Sequence, residues 1–251
     1  MTIDRRPPES ETDTHNGATL RTAPGGTESL HPPGPIARVP RSKRAARDWY
    51  DAVSGWYDVV ADPFEAPTRN AALELLDASP GERILDVGCG TGTALSKIVR
   101  SVGPEGAAVG IDLAEGMCHR AWHALETAGN GPGVVVGDAA ALPFDDDSFD
   151  ALFASFVLEL FDTPTIPTVL REWRRVLAPD GRLCVVALSR RHGGPIPALY
   201  ERIHDRFPTI VDCRPIHVRE TLREAGLRLV ATRDERMCGL PVAIVCGTFD
   251  Y

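Results

Sequence analysis

Residues 84–92 read Ile-Leu-Asp-Val-Gly-Cys-Gly-Thr-Gly. Few folds accept an apolar run that closes on a carboxylate and then on glycines at every second position. The apolar residues suit a buried strand, and the glycines let the chain turn sharply where that strand ends. The stretch from Thr93 onward then predicts a helix leaving the turn. Strand, glycine turn and helix in that order make half of a βαβ unit, with the free N–H groups of the helix start facing whatever anion binds there.

The chain from Arg47 onward repeats this alternation. Strands are predicted at 83–87, 107–111, 133–136, 149–154, 182–188, 227–233 and 241–247, with helices at 66–78, 92–102, 114–128, 165–177, 195–206 and 217–225. Strands separated by crossover helices imply a doubly wound, mostly parallel α/β sheet. Pro164 and Pro167 suit the start of the helix at 165–177, and Pro179-Asp180-Gly181 is expected to stop it. Met237-Cys238-Gly239-Leu240 is too short for a parallel crossover, so the last two strands should form an antiparallel hairpin.

Residues 1–44 have another character. Pro7, Pro8, Pro24, Pro32, Pro33, Pro35 and Pro40 interrupt a polar stretch without apolar period, so a disordered tail is expected before a single domain at 45–251. Within that domain, 45–78 reads as N-terminal cap helices and 190–217 as a lid over a substrate. The basic cluster Arg38, Arg41, Lys43, Arg44 and Arg47 reads as a solvated helix start.

The net charge of −8 disfavours a protein that grips nucleic acid or an anionic membrane mainly by electrostatics. No apolar run approaches bilayer-spanning length, and no apolar leader follows the basic start, so a cytoplasmic location without membrane insertion is expected. Cys89, Cys118, Cys184, Cys213, Cys238 and Cys246 include no Cys-x-x-Cys pair or Cys/His grouping. They read as small buried apolar residues, and no metal site is expected.

The glycine turn alone does not choose between cofactors, since dinucleotide enzymes seat a pyrophosphate on a similar Gly-x-Gly-x-x-Gly turn. Here the sixth position of that pattern is Thr93, and the glycines fall at 88, 90 and 92. Asp112 ends the run Ala108-Val109-Gly110-Ile111, where a carboxylate can hold ribose hydroxyls. Asp138, in Gly137-Asp138-Ala139, ends the third strand. Acidic residues ending the first three strands suit a phosphate-free cationic nucleoside, S-adenosyl-L-methionine (SAM). Asp86 would meet its ammonium, and the helix start its carboxylate.

On these residues the chain resembles class I SAM-dependent methyltransferases, within them the small-molecule group that includes ubiquinone and menaquinone C-methyltransferases. The likeness also rests on Leu142-Pro143-Phe144, Ser148-Phe149-Asp150, Leu170-Arg171-Glu172 and Arg175-Val176-Leu177-Ala178-Pro179-Asp180-Gly181. It implies a Rossmann-like seven-stranded sheet and methyl transfer to a small molecule, such as a quinone precursor or another lipid-soluble compound. It further implies that Gly88, Gly90 and Gly92 wrap the cofactor, Asp112 with Leu113 holds the ribose, and Met117 packs near the adenine. Asp138 and Ala139 would read the adenine edge, with Ser155 at the end of the fourth strand and Tyr57 from the cap completing the site. Trp49-Tyr50-Asp51 and Trp56-Tyr57-Asp58 resemble an N-terminal helix that closes over SAM.

The acceptor side is less legible. Ser155-Phe156-Val157-Leu158-Glu159 departs from the quinone enzymes, although Glu159 is placed to orient a substrate. Candidates for a general base are His192, His204, Asp205 and His217, with His204 and His217 favoured; Tyr200 and Arg214 are candidate substrate-orienting groups. The competing functions are a SAM-binding protein without catalysis, an NAD(P)-dependent oxidoreductase and a metalloid methyltransferase. Thr93 and the presence of only Lys43 and Lys97 as lysines speak against the oxidoreductase, and the lack of a cysteine before Cys89 against the metalloid enzyme.

Overall fold

Ser42 precedes the first described helix: its side chain accepts a hydrogen bond from the Ala45 N–H and caps helix α1, Lys43–Val53. The computed structural model describes residues 42–55, 62–127, 133–190, 200, 202, 206 and 213–250. The tail up to residue 41 therefore lies outside the described residues, as do Trp56, Tyr57, Asp58 and most of the segment 190–217.

After α1 come α2 (Asp62–Leu76), β1 (Arg83–Val87), α3 (Thr93–Val102), β2 (Ala107–Asp112), α4 (Glu115–Thr127), β3 (Val134–Val136) and β4 (Phe149–Ser155). Two short 3-10 turns, Leu158–Leu160 and Thr163–Thr165, lead into α5 (Ile166–Val176), β5 (Leu177–Leu188), α6 (Val218–Glu224), β6 (Leu227–Met237) and β7 (Leu240–Phe249). The strands form one seven-stranded sheet in the order β3-β2-β1-β4-β5-β7-β6. β1 to β5 run parallel, and β7 pairs antiparallel with both β5 and β6. The expected hairpin is present, turning on Cys238 (φ 51°) and Gly239 (φ 84°), a pair of left-handed residues whose twist matches the flanking strands.

The fifth strand starts earlier than expected. Leu177 already pairs with Phe149, the register then slips, and pairing resumes at Arg182 opposite Ala151. Pro179-Asp180-Gly181 thus lies in an irregular stretch of strand, not in a separate turn. Helix α5 ends at Val176 because the chain becomes extended at Leu177, before the proline is reached.

Alternate residues of the central strands feed two cores. Leu85, Val87, Leu152, Ala154, Val185 and Ala187 pack beneath α5 and α6, while Ile84, Ala151, Phe153 and Val186 pack against α2 and α3. Asp86 shares the second face with Ile84, which turns its carboxylate toward the α2 side. Cys184 and Cys246 occupy directly paired positions on β5 and β7 and are joined as a disulfide, whereas Cys89 and Cys118 are buried free thiols. The disulfide departs from the expectation of unpaired cysteines, because only the strand register brings together residues 62 positions apart. Among the described residues no helix is long and apolar enough to cross a membrane.

Candidate functional site

The register of the sheet assembles the site. Val87 pairs with Ile111 on one side and Ala154 on the other, so the next residues, Gly88, Asp112 and Ser155, fall side by side at the carboxyl ends of β1, β2 and β4. The chain runs from β1 outward to β3 on one side and then crosses to β4 on the other. That reversal opens the crevice where doubly wound sheets bind ligands. A cavity of about 340 Å³ occupies it.

The glycine loop is shaped by close approach. Gly88 has φ +67°, and a Cβ there would lie 2.2 Å from Val157 Cγ2. Gly92, the cap of α3 at φ +85°, would place a Cβ 2.9 Å from Ala121. Its neighbours anchor the loop: the N–H groups of Gly88 and Cys89 donate to the Ile111 carbonyl at 2.7 and 3.1 Å.

The acidic residues sit around this loop in distinct states. Asp86 is 2% exposed and its Oδ2 has no hydrogen-bond partner among the described residues. Burial pushes its carboxyl up to about 8; the Arg69 charge opposes the shift and Asp112 adds to it. Asp112 accepts from the Gly90 N–H through Oδ2 and the Ala114 N–H through Oδ1, each at 2.9 Å. Burial raises its pKa, and these N–H groups hold it back. Asp138 accepts from the Ala140 N–H at 2.9 Å and forms an ion pair with Lys43.

Residues far along the chain set the position of the Asp138 loop. Trp173 Nε1 donates to the Ala139 carbonyl at 2.9 Å. Glu172 accepts from the Leu142 N–H at 2.8 Å, and Arg175 donates to the carbonyls of Leu142 and Phe144. The motif residues of α5 therefore hold the loop after β3 through a network that the sequence showed only as a pattern.

Asp86, Gly88, Gly90, Asp112, Leu113, Met117, Asp138, Ala139 and Ser155 all line the cavity. Gly92 stands behind the wall as the cap of α3. Tyr57, His192, His204 and Asp205 lie outside the described residues. His217 occupies the N-cap position of α6 without a side-chain cap bond and is not a lining residue. Tyr200 donates its hydroxyl to the Cys213 carbonyl at 2.8 Å.

Arg214 and Glu159 correct the reading of the acceptor side. Neither lines the cavity, and they are 1% and 0% exposed. Arg214 donates to the Phe161 carbonyl and to Thr163 Oγ1, and so supports the wall from behind. Glu159 accepts from the Leu188 N–H at 3.1 Å.

Other lining residues were not anticipated. Lys43 was read as part of a solvated helix start, yet it reaches Asp138, and Lys43, Ala46 and Tyr50 line the cavity from one face of α1. Asp51, on the same helix, accepts from the Gly116 N–H at 2.8 Å and fixes α1 to the start of α4. Asp62, Glu65 and Arg69 reach the cavity from α2. Their i, i+3 and i+7 spacing was visible, but it equally describes a charged surface stripe.

Comparison with known proteins decides what this cavity belongs to. A model described as "Methyltransferase domain" matches residues 84–181. The 2-phytyl-1,4-naphtoquinone methyltransferase of Synechococcus elongatus is 30% identical over 178 residues, covering 62% of this chain and 72% of that protein. The chain belongs to the SAM-dependent methyltransferase family. Another methyltransferase, the nocamycin O-methyltransferase of Saccharothrix syringae, is 39% identical over 151 residues, 59% of this chain. That match spans 50% of the relative's own length. Among solved structures, the 1,6-didemethyltoxoflavin-N1-methyltransferase of Burkholderia thailandensis superposes with TM-score 0.63 at 19% identity, covering 86% of this chain and 95% of that one. The [4+2]-cyclase SpnF reaches TM-score 0.67 at 21% identity, covering 86% of this chain and 98% of that one. A methyltransferase and a cyclase on one scaffold make this likeness a statement about fold alone.

The methyltransferase cavity suits SAM by its own chemistry. A buried, unpartnered carboxylate oxygen on Asp86 calls for a cation, the side-chain-free glycine loop leaves room for a close ligand, and the two oxygens of Asp112 retain lone pairs for hydroxyl groups.

Proposed function

We propose that the protein transfers a methyl group from SAM to a small, lipid-soluble acceptor bound in this cavity. The observation that carries the reading is the lining of one cavity: Asp86, Asp112 and Asp138 share it with the apolar Phe156, Val157, Leu160 and Phe161, which follow Ser155 along the chain. The acidic residues suit a charged nucleoside, and the apolar ones an apolar body.

SAM, when bound, supplies a methyl group already activated on a sulfonium. The protein's part is then to orient and to exclude water, and no nucleophilic side chain is required. Gly88 and Gly90 would cradle the cofactor, Asp112 with Leu113 hold its ribose, and Asp138 with Ala139 meet its adenine near Met117. Tyr50 and Ala46 cover that end from α1. A hydroxyl acceptor would also need a proton acceptor. Asp162, at the acceptor end, lines the cavity and can take that role. His204 remains a proposal for the same role from the segment outside the described residues.

The names of the relatives supply the acceptor classes to try, a quinone precursor and a hydroxylated natural product. Nucleic acid is not among them, in keeping with the net charge of −8. A cytoplasmic setting belongs to this proposal. Because a buried disulfide is uncommon in a reducing compartment, thiol counting on protein from reduced and unreduced lysates tests that setting.

The function is tested by incubation with methyl-labelled SAM and fractionated extracts. Label should enter lipid-soluble or small-molecule fractions with release of S-adenosylhomocysteine. Label confined to protein or nucleic acid would refute the reading.

A further inference from the structure

Helix α1 is held to the fold in different ways at its two ends. Its far end is packed: Val53 is buried against Ala114 and Met117, Asp51 accepts from the Gly116 N–H at 2.8 Å, and Arg120 donates to the Gly55 carbonyl at 3.0 Å. Its first turn is exposed at Lys43, Arg44 and Ala45, and from there Lys43 reaches the end of β3 and bonds Asp138 Oδ2, 95 positions along the chain. The two side chains of that pair keep 59% and 31% of their exposure. A packed end and a solvated ion pair at the other make α1 a strap, hinged near Val53 and fastened at Lys43.

The fastening lies on the wall of the cavity, which Lys43 and Asp138 both line beside Ala46 and Tyr50 of the same helix. Asp138 Oδ1 already accepts from the Ala140 N–H at 2.9 Å, and Lys43 takes Oδ2. A 6-aminopurine approaching this carboxylate brings an N–H donor to it, and the ammonium that is already there brings donors and a full charge. Two donors converging on one oxygen repel each other. Lys43 therefore competes with an adenine amino group for Asp138 and does not assist it. An ion pair this exposed is weak, so an incoming ligand can displace it.

We propose that the Lys43–Asp138 ion pair is a latch on the cavity: Lys43 holds the Asp138 carboxylate in the ligand-free protein, and adenine enters by displacing it, which releases the first turn of α1. This rests on the reading of Asp138 as the adenine partner and adds a gate to it. A purine without a 6-amino group offers Asp138 no donor and leaves the latch closed. The latch thus lowers the affinity for adenine ligands and ties its own release to the identity of the base.

Calorimetric titration of the full chain with S-adenosylhomocysteine and with S-inosylhomocysteine, in which a carbonyl replaces the 6-amino group, tests this without any acceptor. Lys43→Met removes the charge and keeps an unbranched apolar stem. It should bind S-adenosylhomocysteine about two- to fivefold tighter than the wild type, the range set by release of an exposed ion pair, and S-inosylhomocysteine with unchanged affinity. In an Asp138→Asn background the same change should give no gain, because the pair is already broken. Unchanged or weaker S-adenosylhomocysteine binding by Lys43→Met would overturn the latch, and so would an equal gain for both ligands or an equal gain in the Asp138→Asn background. Asp138→Asn alone should lower the preference for S-adenosylhomocysteine over S-inosylhomocysteine about tenfold. An unchanged preference would refute the adenine assignment of Asp138, and the latch with it. A folded wild type that binds neither ligand would refute the methyltransferase reading itself.

Discussion

Asp112 Oδ2 accepts a hydrogen bond from the Gly90 N–H at 2.9 Å, joining the end of β2 to the glycine loop that follows β1. One side chain therefore both shapes the loop and offers its remaining lone pairs to a ligand. Asp112→Ala should weaken S-adenosylhomocysteine binding by about 30-fold or more, since it removes a charge-assisted partner and releases the loop. Asp112→Asn, which keeps one oxygen, should lose less. Isothermal titration distinguishes the two.

Gly88→Ala should cost both stability and binding. The new Cβ would meet Val157 Cγ2 at 2.2 Å on a backbone with φ +67°. Left-handed strain and overpacking together come to about 2–5 kcal/mol, measured by urea unfolding. Adding Val157→Ala should return the steric part and leave the backbone part.

Asp86 makes the ligand-free protein sensitive to pH. Its carboxyl is raised from the ordinary 3.8 to about 8, so between those values the folded state binds more protons than the unfolded one. Stability attributable to this group is full below about pH 4 and falls as pH rises toward about 8. Asp86→Asn should flatten that slope and make the ligand-free protein more stable at pH 8, while weakening S-adenosylhomocysteine binding. Thermal melts from pH 5 to 9 show whether the slope depends on Asp86.

Much of this architecture is legible in the sequence for a plain reason. β1 spans Arg83–Val87 as expected, because a run buried on both faces and closed by glycines has little else to become. The cavity residues Asp86, Gly88, Asp112, Asp138 and Ser155 share that clarity, since each stands at or just past a strand end where backbone geometry fixes its place. Arg69 and Lys43 do not. A long basic side chain on an amphipathic helix looks the same whether it meets water or a cavity, and only the packing of α1 and α2 on the sheet tells them apart. Arg214 differs in the opposite sense: an Arg beside a substrate region suggests a ligand contact, yet its two Nη atoms donate to the Phe161 carbonyl and to Thr163, and it does not line the cavity. The bond between Cys184 and Cys246 depends on strand register, which composition does not carry.

Arg214→Met should therefore act on stability and leave cofactor affinity alone. It removes two hydrogen bonds and the positive charge that acts on Asp162 and Glu159. Breaking a buried charge network of this kind costs about 3–5 kcal/mol, or roughly 6–20 °C in Tm for a chain of this size. The S-adenosylhomocysteine Kd of the folded fraction should stay within about twofold, because Arg214 lies outside the cavity.

The crevice at the ends of β1, β2 and β4 has the lining of a SAM site. Titration of the purified chain with S-adenosylhomocysteine, with NADH in a parallel cell, tests it most directly. One saturable site for S-adenosylhomocysteine, weakened by Asp112→Ala, and no uptake of NADH are expected. Binding of NADH at that site, or no binding of S-adenosylhomocysteine by folded protein, would contradict it.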